Sequence, residues 1–594
     1  MTDEQPLEIP PGDSQEKPPR ERGVVVVWFA LMLTALLAMA GFAVDLSNWW
    51  AQAERVQKAA DAAALAGVPY LPSDLTSATS RAKAELSNNG FVTSGAGANA
   101  TAVVTQEANP NRLRVSVTYK VNTYFVALLG VKEVSLTREA VSEFVSPVPM
   151  GSPENKMGND PDKAGTPDEP AVSSWVTIQG PSTGKGQGDR YANKVCNDSN
   201  HAGCSGSTNL EHDPNGYFYT MKVSAPVSGQ ALNFEVFDAS WVYVGSACNE
   251  FMPTASQISS LTSKYPDAAT RFASGTASKY CTGDYTPGAS GYSGTLDTTF
   301  IVREPDDTPW LDTDNPVVNI SSCTPMKIRG FNPYSVSSGS RSAYIYNKLM
   351  DPTESVINPS DGVITFAEGF RRWTRLCSIP AGSVKSGEYL LQVRTNAKSS
   401  NLLQADSTIT TKGNNGMSFR AGFGATGAET LSGANVTLAA RGRLPIFANA
   451  SGADTRFYLA RVLPTDAGRT LRVRLFDMGD ASNSGTLQIL PPRGPGEYSE
   501  SDVFSGCEFS KDSGTISGSD IVGSSCTLKN VSNSKYNGRE VIVDVPIPTD
   551  YTCADTVPTG CWIKIKASFP TGTTVNDITT WSAAILGNPV RLVE

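Results

Sequence analysis

Histidine is nearly missing from this chain: His201 and His212 are the only two in 594 residues. Catalysis by a histidine base, or by a histidine-built metal centre, is therefore confined to one short neighbourhood. Charge is also scarce. Asp, Glu, Lys and Arg make up 18% of the chain, against about 25% in an average soluble domain, and the balance of −9 lacks the basic excess that a nucleic-acid partner demands. No cysteine precedes Cys196, no CxxC pair occurs, and no GxSxG, HExxH or paired-carboxylate motif can be tied to a site, so nothing in the chain argues for thiol-redox, hydrolase or metalloprotease chemistry. The residues argue for no enzyme and no cofactor.

Glycine and proline are plentiful, with 52 and 38 residues, which favours turn-rich β structure, and the length predicts several folded units. Ten cysteines, all beyond residue 150, are even in number and well separated. That usage reads as disulfides made outside the cytosol, so an export signal is expected. It is found at residues 23–44, GVVVVWFALMLTALLAMAGFAV, 22 residues without a charge. As a helix this run spans about 33 Å, enough to cross a bilayer core. Lys17, Arg20 and Arg22 precede it and Asp45 follows, which places the Pro-rich tail 1–22 in the cytoplasm and the bulk of the chain outside. Ala38-Met39-Ala40 is the rival signal, a small-x-small site for cleavage, but the apolar run continues past it and the anchor is expected to be kept.

Residues 46–66, LSNWWAQAERVQKAADAAALA, hold no Gly or Pro and are rich in Ala, so the helix should continue outward. Trp49, Ala53, Val56, Ala60 and Ala63 recur at helical spacing and form an apolar stripe expected to meet a partner helix. Arg22-Gly23, the apolar run, Val44-Asp45 and Gln57-Lys-Ala-Ala-Asp-Ala-Ala-Ala-Leu-Ala-Gly67 together resemble the N-terminal region of TadG-like proteins of Flp (tight-adherence) pilus assembly. The resemblance is close over about residues 20–70 and weaker to about 145. It implies an envelope-anchored, minor-pilin-like component whose partners are the membrane and other pilin-like or pilus-assembly proteins. Many relatives carry a von Willebrand A-type domain downstream; no such domain is read in this chain, and metal-dependent adhesion is not carried over. Gly23 is placed for prepilin processing, but Trp28 stands where a Glu is favoured.

Beyond Pro69, residues 76–89 read as a short helix ended by Gly90. Leu113, Val115, Val117, Tyr119 and Val121 alternate with polar residues as in a half-buried strand, and a second extended run covers 131–145. A pilin-like α+β module over 46–145 is expected. Residues 146–172 concentrate Pro, Gly and charge and read as a linker. FYTMKVSAPVSGQALNFEVFD (218–238) and FYLARVLPTDAGRTLRVRLFD (457–477) align without a gap, sharing seven identities that include Tyr219 with Tyr458 and Phe237 with Phe476. This predicts a tandem duplication: two sandwich-like all-β domains at 173–425 and 430–594. Trp175 is aligned with the run at Val436, and GEYLLQV at 387 with GREVIVDV at 538. The same correspondence suggests the disulfides Cys323–Cys377 and Cys507–Cys526, with local pairs Cys196–Cys204, Cys248–Cys281 and Cys553–Cys561.

Cys196, His201, Cys204 and His212 have the makings of a zinc set, for which a Cys196–Cys204 disulfide is the alternative. Gly184-Lys-Gly-Gln-Gly188 resembles a phosphate loop only in its glycines and reads as a surface turn. Asp306, Asp307, Asp312 and Asp314 offer oxygen ligands to Ca²⁺ but lack the EF-hand pattern. The leading expectation is a structural role in a Flp-type pilus. The alternative is a membrane-tethered, adhesin-like protein whose β domains bind a surface ligand, with Trp310, Trp373 and Trp581 as candidate lining.

Overall fold

The computed structural model describes residues 22–593 except 72–74, 108–110, 145–147, 153, 160–172, 239–252, 273–283, 285–295, 307, 309–310, 332–335, 358–363, 426–430, 450–453, 493–503, 556–559, 574, 576 and 587–589. The chain forms two compact units, 1–144 with 590–594, and 145–589.

In the first unit, helix α1 (Arg22–Gly67) runs for 46 residues, about 69 Å at 1.5 Å per residue. Its first half is bare: residues 24–33 are exposed on every side. From Ala53 onward one face is covered, with Val56, Ala60, Ala63 and Ala64 wholly buried. Helix α2 (Leu75–Asn88) supplies Ala78, Ala82 and Leu86 to the same core. Strands β1 (Ala100–Gln106), β2 (Arg112–Asn122) and β3 (Glu133–Phe144) make an antiparallel sheet in the order β1-β2-β3, closed at its edge by Val590–Leu592. Leu113, Val115 and Val117 alternate into the core as their period of two requires. At Gly67 an added Cβ would stand 2.6 Å from Leu113 and 2.7 Å from the Ala78 carbonyl, so that position takes no side chain. The expected plan of a long helix laid on an antiparallel sheet is present.

The second unit is all β apart from short helices. Among the described residues, after β4 (Pro149–Gly151) come eight principal strands, with shorter pieces between them: β5 (Ser173–Gln179), β6 (Tyr217–Val223), β7 (Ala231–Asp238), β8 (Thr298–Arg303), β9 (Met326–Ile328), β10 (Trp373–Ile379), β11 (Gly387–Arg394) and β12 (Asn414–Gly424). After β13 (Val436–Arg441) come eight more: β14 (Arg443–Asn449), β15 (Asp454–Arg461), β16 (Thr470–Phe476), β17 (Gly485–Leu490), β18 (Thr527–Val531), β19 (Glu540–Pro546), β20 (Trp562–Ser568) and β21 (Asp577–Ile585). The first set pairs as β5-β12-β7-β10 and β6-β11-β8-β9, and the second as β14-β21-β16-β19 and β15-β20-β17-β18. Each set thus visits its two sheets in the order 1-8-3-6 and 2-7-4-5, which is a jelly roll. The repeated topology agrees with the aligned segments, and Phe237 and Phe476 both end the third strand of their set and are buried.

The two sets share their sheets. Strands β5 and β14 pair antiparallel, Trp175 opposite Phe447, and fuse one sheet across both halves. In the other sheet the leading strands are exchanged: β13 pairs with β6, with Ala440 opposite Tyr219, while β4 pairs with β15, with Gly151 opposite Tyr458. The two exchanged strands also pair with each other.

Several expected boundaries move as a result. Residues 149–151 and 156–157 are strands of the second unit rather than linker; the remaining linker residues from 160 on lie outside the described residues. The second β region does not reach 594, because Val590–Leu592 pairs with β3 in the first unit. Trp175 lies in β5, the counterpart of β14, so its alignment with the run at Val436 in β13 is off by one strand. The segment at 387 is β11 and that at 540 is β19, on opposite sheets, because apolar alternation is alike for any strand of a sandwich.

Candidate assembly and membrane-anchoring surface

The apolar stripe does not face outward. Val56, Ala60 and Ala63 are wholly buried and Ala53 nearly so, against α2 and the β2–β3 face of their own unit. The small side chains let helix and sheet approach closely, and Ser142 Oγ donates to the Ala64 carbonyl at 2.7 Å. Trp49 is half-buried and meets Phe42 edge to face at 6.2 Å. The expectation of a partner helix on this stripe is therefore corrected: a periodic apolar stripe reports that a face is covered, not by what. What remains open on α1 is the run from Gly23 to Val44 apart from Gly41, and in it Val24, Trp28, Phe29, Leu36, Leu37 and Phe42 are each more than half exposed. It is long and apolar enough to cross a membrane.

Asp45, at the C-terminal end of this run, is buried. Its carboxylate accepts three backbone amides from the β2–β3 connection: Tyr124 on Oδ1 at 2.7 Å, and Phe125 and Val126 on Oδ2 at 2.8 and 2.7 Å. The charge that marks the end of the span in the sequence is thus a clip holding the hairpin tip to the helix. Phe125 packs over Gly41, where an added Cβ would stand 2.7 Å from its ring, and Asn48 Nδ2 reaches the Asn122 carbonyl at 3.5 Å.

The other candidates resolve into structure. Cys196 and Cys204 form a disulfide, as do Cys323 and Cys377, Cys507 and Cys526, and Cys553 and Cys561. These are pairings read from the sequence, and the fifth, Cys248 with Cys281, lies outside the described residues. The correspondence that suggested two of them does not hold, since Cys377 lies in β10, whose counterpart β19 has no cysteine. His201 is wedged between Gly186 and Gly538, and His212 Nδ1 lies 3.2 Å from the Tyr191 carbonyl oxygen. Burial pushes both imidazoles below their ordinary pKa. Among the described residues no His, Cys, Asp and Glu cluster is arranged to hold a metal.

The glycine-rich loop is an internal brace. Lys185 is fully buried and donates to Asn209 Oδ1 at 2.9 Å and Glu211 Oε2 at 2.5 Å. Arg190 joins Glu211 to Glu540, and Arg474 Nη1 completes the chain at 3.1 Å from Glu540. This network binds the first β set to the second. In the acidic loop, Thr308 Oγ1 lies 3.0 Å from both Asp306 and Asp314, while Asp312 pairs with Arg441; Asp307 is not among the described residues. Trp581 is core, edge-on to Phe457 at 4.9 Å. Trp373 lies under Arg420 at 4.3 Å, and Trp310 is not described.

Residues 23–74 match the family model of Flp pilus-assembly TadE/G-like proteins, in agreement with the resemblance read from the motif. No curated protein and no solved structure matches the chain. The matched segment takes in the bare run of α1, Asp45 and the buried stripe. With the apolar run of α1 it marks a membrane-anchored, single-pass protein connected with Flp pilus assembly.

Proposed function

We propose that this chain is a structural, non-enzymatic component of a Flp-type pilus apparatus, minor-pilin-like in its first unit. The Pro-rich, acidic tail lies in the cytoplasm and the β unit outside the cell membrane. One observation carries the reading: within the segment that matches the pilus-assembly family, α1 is bare from residue 23 to 40 and packed on its own sheet from Ala53 on. A helix used this way crosses lipid as an anchor and offers its uncovered side chains to other apolar helices within the membrane. The orientation is supported by Lys17, Arg20 and Arg22 before the run and by four disulfides beyond it. A clean deletion of the gene should reduce pilus number and surface adhesion, read by electron microscopy and a binding assay. Normal piliation in the deletion strain would remove the assembly role.

A second reading, a tethered surface-binding protein, is favoured by the paired jelly rolls, an architecture also used by lectin domains, although fold alone does not fix function. Binding of the purified protein to surface polysaccharides, with piliation unchanged in the deletion strain, would select it.

A further inference from the structure

The connection between β2 and β3 is apolar where a water-facing loop is ordinarily polar. Residues 124–129 read Tyr-Phe-Val-Ala-Leu-Leu without one charged or amide side chain. Leu128 is 85% exposed and Leu129 83%, with Tyr124 at 63%. Leu128 and Leu129 exceed every large apolar side chain of the bare helix, of which Phe29 is the most exposed at 67%.

Their position is fixed. The Asp45 carboxylate holds the amides of residues 124–126, and Phe125 lies on Gly41. The tip therefore sits beside the last turn of the uncharged run, at the level where α1 leaves the bilayer. Asp45 is itself taken out of contact with its surroundings by the three amides, so its charge is covered while the two leucines are exposed. Trp50, 72% exposed one turn further along, fits the headgroup belt at the same boundary. The exposed apolar surface is continuous with the membrane-spanning surface of the helix, and that continuity selects the occupant.

We propose that the β2–β3 tip is a second membrane contact: Leu128 and Leu129 enter the acyl–headgroup boundary of the leaflet next to the outer end of α1, as an interfacial element does, and hold the module at a set height on the membrane. The proposal rests on the anchoring of α1 and is independent of the pilus role.

The test uses the full chain reconstituted into phosphatidylethanolamine–phosphatidylglycerol vesicles, with a benzophenone side chain installed at position 128, at position 31 in the span, or at Val103, which is 62% exposed on β1. After irradiation, intact mass should show a phospholipid adduct at 128 and at 31 and none at 103. An adduct at 31 with none at 128, or an adduct at 128 with a second copy of the chain in place of lipid, would overturn the proposal. The double variant Leu128→Ser/Leu129→Ser keeps the Asp45 clip and should shorten the protection of amides 126–131 against exchange in vesicles at least several-fold. Protection equal to that of the unmodified chain would count against lipid contact.

Discussion

Asp45 and Phe125 are 80 residues apart in sequence, yet the carboxylate of the first accepts the backbone amide of the second at 2.8 Å. Together with the amides of Tyr124 and Val126 this makes one side chain responsible for seating a hairpin on the helix. Replacing Asp45 with Ala leaves three amides without their acceptor, at about 1–3 kcal/mol for each that stays buried. Amides 124–126 should then exchange at least tenfold faster, while Asp45→Asn, which keeps one oxygen, should show a smaller effect. Hydrogen exchange followed by mass spectrometry reads both.

Ala60 is fully buried between α1 and the sheet. Ala60→Glu should therefore destabilise the first unit, by ~3 kcal/mol or more for an unpaired buried charge, and expose it to protease. Glu54→Ala, on the exposed face, should leave the proteolytic pattern unchanged. If both variants were equally resistant, the stripe would not be the core of this unit.

Asp577 is half-buried beside Asp480, and loss of solvation followed by that neighbour pushes its pKa from 3.8 up to about 7. Asp477 and Asp480 are raised by burial as well. The sign follows from linkage: below about pH 4 both folded and unfolded chains carry the proton and the contribution is fully present. As pH climbs toward 7 only the unfolded chain ionises, so stability is lost. Asp577→Asn removes this titration. Its melting temperature relative to the unaltered protein should rise steadily between pH 4 and pH 7 and level off above, as measured by calorimetry. A pH-independent difference would contradict the assignment.

Tyr219 and Tyr458 are each paired by the leading strand of the other β set, and the Lys185–Glu211–Arg190–Glu540 network crosses between the sets. Residues 145–425 and 430–589 expressed separately should each remain poorly folded. Co-expressed, they should co-purify as a one-to-one complex, as size-exclusion chromatography with light scattering would detect. Two stable, non-associating halves would show that the exchange is dispensable.

Much of this architecture is legible in local pattern. The span at 23–44, the strands around Leu113 to Val121 and the repeat linking Phe237 to Phe476 are set by periodicity or by identity between distant segments. The clip was not legible, because Asp45 reads in sequence as an ordinary flanking charge and its partners are backbone amides, which carry no side-chain signature. The exposed apolar tip was spelled out as Phe125-Val-Ala-Leu-Leu129 but passes for part of a strand until its exposure is known. Four disulfide pairs were read correctly, two of them through a correspondence between Cys377 and Cys526 that the strand order does not support. Short loops bring cysteines near one another in sequence whatever the topology.

By itself the sequence determined that α1 is long and apolar enough to span, that the β region is duplicated, and which face of each element is covered, because these depend on composition and on periods of 2 and 3.6 residues. Only the tertiary structure decided what covers each face. Whether the Ala60 stripe meets its own sheet or another molecule, whether β4 and β13 stay with their own set or exchange, and whether the Asp45 charge meets water or three amides all turn on contacts between residues far apart in the chain. Burial energy is non-directional and pairing depends on backbone geometry, so neither leaves a local mark on the residues that take part.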